Sequence, residues 1–297
     1  MKIVTAPSRT AGNRLVVAAL GLVTGLCQAC MSFGPPSVEE AFAGRPAPEA
    51  RTYELPDGKT LSAHETGNPD GPLVLFIHGT PGSWNDFGHV MADPAVASKA
   101  WLVSVDRPGW GESSETGLEP SLEEQAAALE PVLAAHSNQL PAIVVGHSYG
   151  GPVAALLAMK EPERVGGLAI VAGSIDPALE KPKWYQKVGA WPVVKHLIPN
   201  ALAGADQEIL RLHDQLEAMS GGWPKLAMPV IVVQGEKDSL VDPATADFAE
   251  RVITEAPLEV RRIPDVGHLI PWEHPELITA AVADLLADEV SASAPAR

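Results

Sequence analysis

The sequence of 297 residues predicts an α/β fold, a mostly parallel, doubly wound sheet with an inserted helical cap. Three observations carry that prediction. Short runs of branched apolar residues recur along the chain. Helix-like stretches separate them. One long segment without a strand-like run interrupts the alternation.

The elements follow in order. Residues 51–55 and 59–66 flank the turn P-D-G and predict a hairpin. Apolar runs at 73–77, 101–105, 142–145 and 167–172 come next, then 229–233 and 258–263. Near-continuous branched residues suit strands covered on both faces. Ser121 and Glu124 stand at capping-box spacing and open a helix toward His136. A further helix covers Ala154 to Met159, and the last covers Pro275 to Val290 at helical apolar spacing. Residues 175–228 hold no strand-like run but contain Trp184, Tyr185, Trp191 and Trp223. They predict a helical cap between two core strands, so the core takes residues 51–174 and 229–290.

Composition fits one globular unit, with 46% hydrophobic and 20% charged residues. The net charge is −16, and the longest basic run is a pair, Arg261-Arg262. That argues against nucleic acid and anionic membrane surfaces as partners. A small molecule is the expected partner, and oligomeric state is not readable.

The N-terminus predicts export, to the bacterial cell envelope, the periplasm or the medium. Lys2, Arg9 and Arg14 precede an apolar stretch from Leu15 to Leu26, short for a membrane span. C-Q-A-C follows, with Ala29 before Cys30, so 1–29 read as a signal peptide. The pattern is similar to a bacterial lipobox, which would make Cys30 a lipidated N-terminus and the membrane a partner only through that anchor. A plain secretory cut at Ala29 and an uncleaved anchor are the alternatives. Cys27 and Cys30 are the two cysteines, so the cut domain would hold no internal disulfide. Residues 30–50 read as a flexible tether and 291–297 as a loose tail.

The chemistry lies at the strand ends. G-H-S-Y-G, residues 146–150, ends one predicted strand and opens a helix. So tight a turn, a nucleophile elbow, needs the bare backbone of Gly146 and Gly150 and exposes the Ser148 hydroxyl at a helix N-terminus. Ser148 is the candidate nucleophile, and a serine needs a base. His268, in the loop after the last strand, is the candidate. His147 should point to the other side of the turn, His78 should make structural hydrogen bonds, and His274 should lie on the surface. The orienting carboxylate is Asp238 or Asp176, each following a strand. Asp242, before Pro243, reads as a helix cap. The backbone N–H groups of Tyr149 and Thr80 are candidate oxyanion donors, the second from the bent loop H-G-T-P-G-S at 78–83. Trp184, Trp191 and Trp223 are candidate pocket residues or cap core. No cofactor and no metal are needed.

Five stretches together resemble the α/β-hydrolase fold superfamily: H-G-T-P-G-S (78–83), D-R-P-G-W-G-E-S (106–113), G-H-S-Y-G-G (146–151), G-E-K-D-S-L-V-D-P (235–243) and G-H-L-I-P-W-E-H-P (267–275). The resemblance implies an eight-strand sheet, a cap between the sixth and seventh strands and a Ser-His-Asp triad. It also supports Asp238 over Asp176. Haloalkane dehalogenases and epoxide hydrolases share two of these patterns but carry an aspartate nucleophile where Ser148 stands. The leading expectation is a carboxylesterase-like serine hydrolase of small esters with apolar groups, working through an acyl-enzyme. The same parts would serve amide, lactone or C–C cleavage. A ligand-binding protein that keeps the fold without turnover, or a structural lipoprotein, is the alternative from another class.

Overall fold

The computed structural model describes residues 34–136, 140–180 and 200–293. Chain contacts divide the protein into Met1–Pro35 and Pro36–Arg297, and the second unit is the one described below. The signal segment, Cys30, Trp184, Trp191 and the last four residues lie outside the described residues.

Eight strands form one sheet: β1 (Glu49–Glu54), β2 (Thr60–Gly67), β3 (Leu73–Ile77), β4 (Trp101–Val105), β5 (Ala142–His147), β6 (Val165–Val171), β7 (Val230–Gly235) and β8 (Leu258–Ile263). Their order is β1-β2-β4-β3-β5-β6-β7-β8. The pairs β1·β2 and β2·β4 are antiparallel, and every later pair is parallel. The five main helices are α1 (Leu122–Ala127), α2 (Gly150–Lys160), α3 (Asn200–Met219), α4 (Thr245–Val252) and α5 (Pro275–Ser293).

Alternation along the central strands builds two cores. Leu73, Leu75 and Ile77 pack on one face of the sheet, with side chains from α1, α2, α3 and α4. Val74 and Phe76 pack on the other, with Ile278, Ala281, Val282 and Leu285 of α5. Both faces are covered, so β3 and β4 are buried at every position, as their near-continuous apolar runs predict, with Ser104 the polar residue in β4.

Four boundaries differ from the sequence reading. Residues 36–50 are not a loose tether. Ser37 and Glu40 close a reciprocal capping box on a short helix, Val38–Ala41. Phe42 is buried in the core and β1 begins at Glu49. The Pro, Gly and Ala content had masked an S-V-E-E capping signal. The helix from Ser121 is also not continuous. It stops at Ala127, and a second turn, Glu130–Ala134, restarts with Pro131 in its first turn. Proline has no N–H to give to the preceding turn, so it begins a helix better than it continues one.

The third difference concerns Gly146. The apolar run ends at Val145, but β5 continues through Gly146 to His147. Gly146 is therefore a strand residue rather than part of the turn, in register with Ile77 of β3 and Ile170 of β6. Ladder pairing on both sides holds it extended although it brings no side chain to the core. Finally, α5 runs on to Ser293 rather than yielding to a tail at 291.

Candidate active site

The loops at the C-terminal edge of the parallel strands converge on one cavity of about 460 Å³, within the usual range for small-molecule sites. Ser148 sits at its floor, between β5 and α2. Its φ is +54°, the left-handed region that costs a non-glycine residue energy. Backbone bonds hold it there: its N–H donates to Val171 O at 3.0 Å, and its carbonyl accepts from Gly151 N at 3.0 Å. A Cβ on Gly146 would run into Gly150 O, and one on Gly150 would run into Ile77 O. Gly146 and Gly150 are therefore steric requirements of the turn, as the motif implied. Neither lines the cavity: Gly146 lies one residue inside the end of β5 and Gly150 begins α2, and both act by letting the two backbones touch.

His268 lies in the loop between β8 and α5, and its Nδ1–H donates to Asp238 Oδ2 at 2.7 Å. Asp238 follows β7. Its other oxygen accepts the N–H groups of Leu240 and Val241, both at 2.9 Å. Burial alone would raise its carboxyl pKa. The His268 bond and charge, with the two backbone donors, outweigh this and hold it below its ordinary value. All three residues line the cavity and are nearly buried, Ser148 and His268 at 9% and Asp238 at 7% exposure. Asp176 is elsewhere: it accepts Ala178 N–H at 2.8 Å and faces Arg251.

Thr80 and Tyr149 line the cavity beside Ser148. The apolar wall comes from Leu179, Ile209, Leu212 and Val241, two of them on α3. Trp223 does not contribute. It is fully buried, packed edge-on to Phe248 at 5.9 Å in the core below α3. It stands in the short turn Ser220–Lys225 that follows α3 and is buried there.

The histidines separate by role. His78 is fully buried, donates from Nδ1 to Gly79 O at 2.7 Å and accepts Arg107 N–H at Nε2. Burial, then the Arg107 charge, pushes its pKa well down, so it stays neutral. His147 does not point away from the site as expected. Its ring lies 4.9 Å from that of His268, and its Nε2–H donates to His268 O at 3.0 Å. Burial, then the His268 charge, pushes its pKa down to about 3. It is a neutral brace for the His268 loop. His274 is on the surface beside Glu276.

Two residues escaped the sequence reading. Arg107 and Glu208 form an ion pair at 2.7 Å with no exposure on either side chain. Arg107 stood in a quoted motif, and its place two residues after a largely apolar strand was the available clue. Glu208 carried no signal, because a glutamate in a polar-looking helix is ordinary.

The model of the alpha/beta hydrolase family matches residues 74–281, most of the sheet and the loops that carry Thr80, Ser148, Asp238 and His268. The chain belongs to this family. Among curated relatives, it is 28% identical over 253 residues to the magnesium-chelatase 30 kDa subunit of Rhodobacter capsulatus, covering 69% of this chain and 84% of the relative. It is 25% identical over 256 residues to Lipase 1 of Psychrobacter immobilis, covering 74% and 78%. The crystal structure of a membrane phospholipase A superposes with a TM-score of 0.65 at 21% identity, covering 93% of this chain and 96% of that one. Such different names on one hydrolase frame leave the substrate to be argued from the site.

Proposed function

We propose that this hydrolase-family protein is a serine hydrolase that cleaves small esters with apolar groups through an acyl-enzyme. One observation carries the reading. A serine held at positive φ opens α2, and a histidine already oriented by a buried carboxylate shares its cavity. In this mechanism His268 Nε2 takes the Ser148 proton as the hydroxyl oxygen attacks the ester carbonyl. Asp238 fixes the Nδ1–H tautomer and stabilises the imidazolium. The N–H groups of Thr80 and Tyr149 receive the oxyanion. His268 then protonates the leaving alcohol, and water repeats the sequence to release the acid. The aliphatic wall favours apolar acyl or alcohol groups over charged ones.

The test reacts the purified protein and Ser148→Ala with a fluorophosphonate, followed by mass spectrometry of the modified residue. A series of p-nitrophenyl esters of increasing chain length then sizes the pocket. Labelling at Ser148 with turnover supports the proposal. A folded protein that neither labels nor turns over esters is a ligand-binding hydrolase fold instead. Export remains part of the proposal, and labelling of Cys30 by a fatty-acid precursor, lost in Cys30→Ser, tests its lipoprotein form.

A further inference from the structure

Arg107 follows β4, and its guanidinium is fully buried. All five of its N–H donors are occupied. Nε bonds His78 O at 2.9 Å, and Nη2 bonds Gly79 O at 2.7 Å and Glu208 Oε2 at 3.2 Å. Nη1 bonds Gln125 Oε1 at 2.6 Å and Glu208 Oε1 at 2.7 Å. Glu208, on α3, also accepts Trp110 Nε1–H at 3.0 Å and Gln125 Nε2–H at 2.9 Å. The network therefore joins the loop after β3, the loop after β4, α1 and the helix that walls the cavity.

The bond to Gly79 O bears on the chemistry. The Gly79–Thr80 peptide is a planar trans unit, so its carbonyl and its N–H point in opposite directions. Arg107 Nη2 and His78 Nδ1 both hold the carbonyl on the inner side. The Thr80 N–H of that peptide therefore faces away from Arg107, and Thr80 lines the cavity together with Ser148. The closeness is tight: a Cβ on Gly79 would lie 2.9 Å from Ser148 Cβ. A cation on the carbonyl also polarises the amide and makes its N–H a stronger donor. The guanidinium carbon further lies 4.8 Å from the centre of the Tyr149 ring, the residue of the second donor.

We propose that Arg107 is a positioning residue for oxyanion binding. It aims and polarises the Thr80 N–H through Gly79 O, and Glu208 on α3 is the counter-charge that keeps its fork in place. The proposal rests on the serine-hydrolase reading. A lysine could balance Glu208 but could not span the same acceptors, because its donors radiate from one point rather than a planar fork.

The experiment compares wild type with Arg107→Lys, after titrating active sites with a fluorophosphonate. Measured are kcat, KM, the inhibition constant of an alkyl boronate, which forms a tetrahedral adduct on serine, and the thermal midpoint. The expected result is a kcat lowered about 10–100-fold, below the ~10²–10³-fold typical of deleting a donor outright. KM should stay within about twofold, and boronate affinity should fall with kcat/KM. A merely structural arginine would lower the thermal midpoint while leaving kcat per titrated site and boronate affinity unchanged; that result overturns the proposal. Should the variant not fold, a crystal structure of wild type with the boronate decides. A boronate oxygen on Thr80 N, with Gly79 O on Arg107, supports it. A Gly79 carbonyl turned off Arg107, or an adduct oxygen away from Thr80 N, refutes it. A wild type that forms no Ser148 adduct fails at the earlier step, in the parent protein rather than in the variant.

Discussion

Two buried carboxylates each meet a nitrogen donor at the same 2.7 Å separation, in the pairs His268–Asp238 and Arg107–Glu208. They are built differently. Asp238 takes its supporting hydrogen bonds from close in sequence, from backbone two and three positions on and from Gln234 four positions back. Glu208 takes its bonds from Arg107, Trp110 and Gln125, between 83 and 101 positions away. The first pair keeps 8% exposure at the histidine and opens on the cavity; the second has none. In the proposed mechanism the first pair passes a proton, which needs access to the reacting atoms. A pair that fixes geometry needs permanent charge and a complete set of hydrogen bonds. Under the proposed function the contrast separates chemistry from scaffolding.

The comparison can be broken at either end. Asp238→Asn should cut kcat about 10⁴-fold with little loss of stability, because the amide supports the wrong imidazole tautomer. Ester kinetics beside a urea melt would check this, and a large stability loss would mean that Asp238 is scaffolding after all. Glu208→Gln should do the reverse in the melt. It leaves a dry guanidinium without its counter-charge and should cost about 3–5 kcal/mol of unfolding free energy. A loss under about 1 kcal/mol would show that water reaches Arg107. Trp223→Ala should cost a similar amount, about 3–5 kcal/mol, from cavity formation. Its KM for short esters should not move, since the indole lies in the core. A changed KM would return Trp223 to the pocket.

A subtler test uses pH. Burial pushes the Asp86 carboxyl up to about 7 from an ordinary value near 3.8. Between those values the folded chain holds a proton that the unfolded chain has lost, so this group costs stability as pH rises through the window. Asp106, also raised mainly by burial, acts in the same direction. His147 acts oppositely. With its pKa down at about 3 against an ordinary 6.5, the stability of its neutral form is lost as pH falls from about 6.5 toward 3. The Tm advantage of Asp86→Asn over wild type should therefore grow from about pH 4 to about pH 7, and parallel curves would contradict it. The smallest effect is expected at His274→Ala. That exposed side chain pairs with exposed Glu276, and its loss should move stability by under about 0.5 kcal/mol.

Local order was legible in the sequence for a physical reason. A strand covered on both faces is largely apolar, so β3, β4 and the first part of β5 announced themselves. The turn at Ser148 needs Gly146 and Gly150 at fixed offsets because specific carbonyls occupy the space a Cβ would take. That the strand reaches past Gly146 was not legible, since glycine carries no apolar mark and only the neighbouring strands hold it in the ladder. Asp238 was harder. Spacing left Asp176 as a rival, and the family motif and then the 2.7 Å bond to His268 separated them. Where residue content stood in for pattern, the reading slipped. The segment before β1 looked like a tether, although its Ser37–Glu40 box caps a helix.

What remained beyond the one-dimensional pattern is what arises from approach between distant segments. His147 is set beside His268 by the side-by-side packing of β5, β6, β7 and β8, across 121 positions. Trp223 is core rather than pocket because the chain turns it inward after α3. Arg107 meets Glu208 across 101 positions only once α3 is laid over the strand ends. Periodicity and turn chemistry are local forces and leave local marks. The desolvated network under the cavity is a collective product of folding, and no single stretch of sequence needed to advertise it.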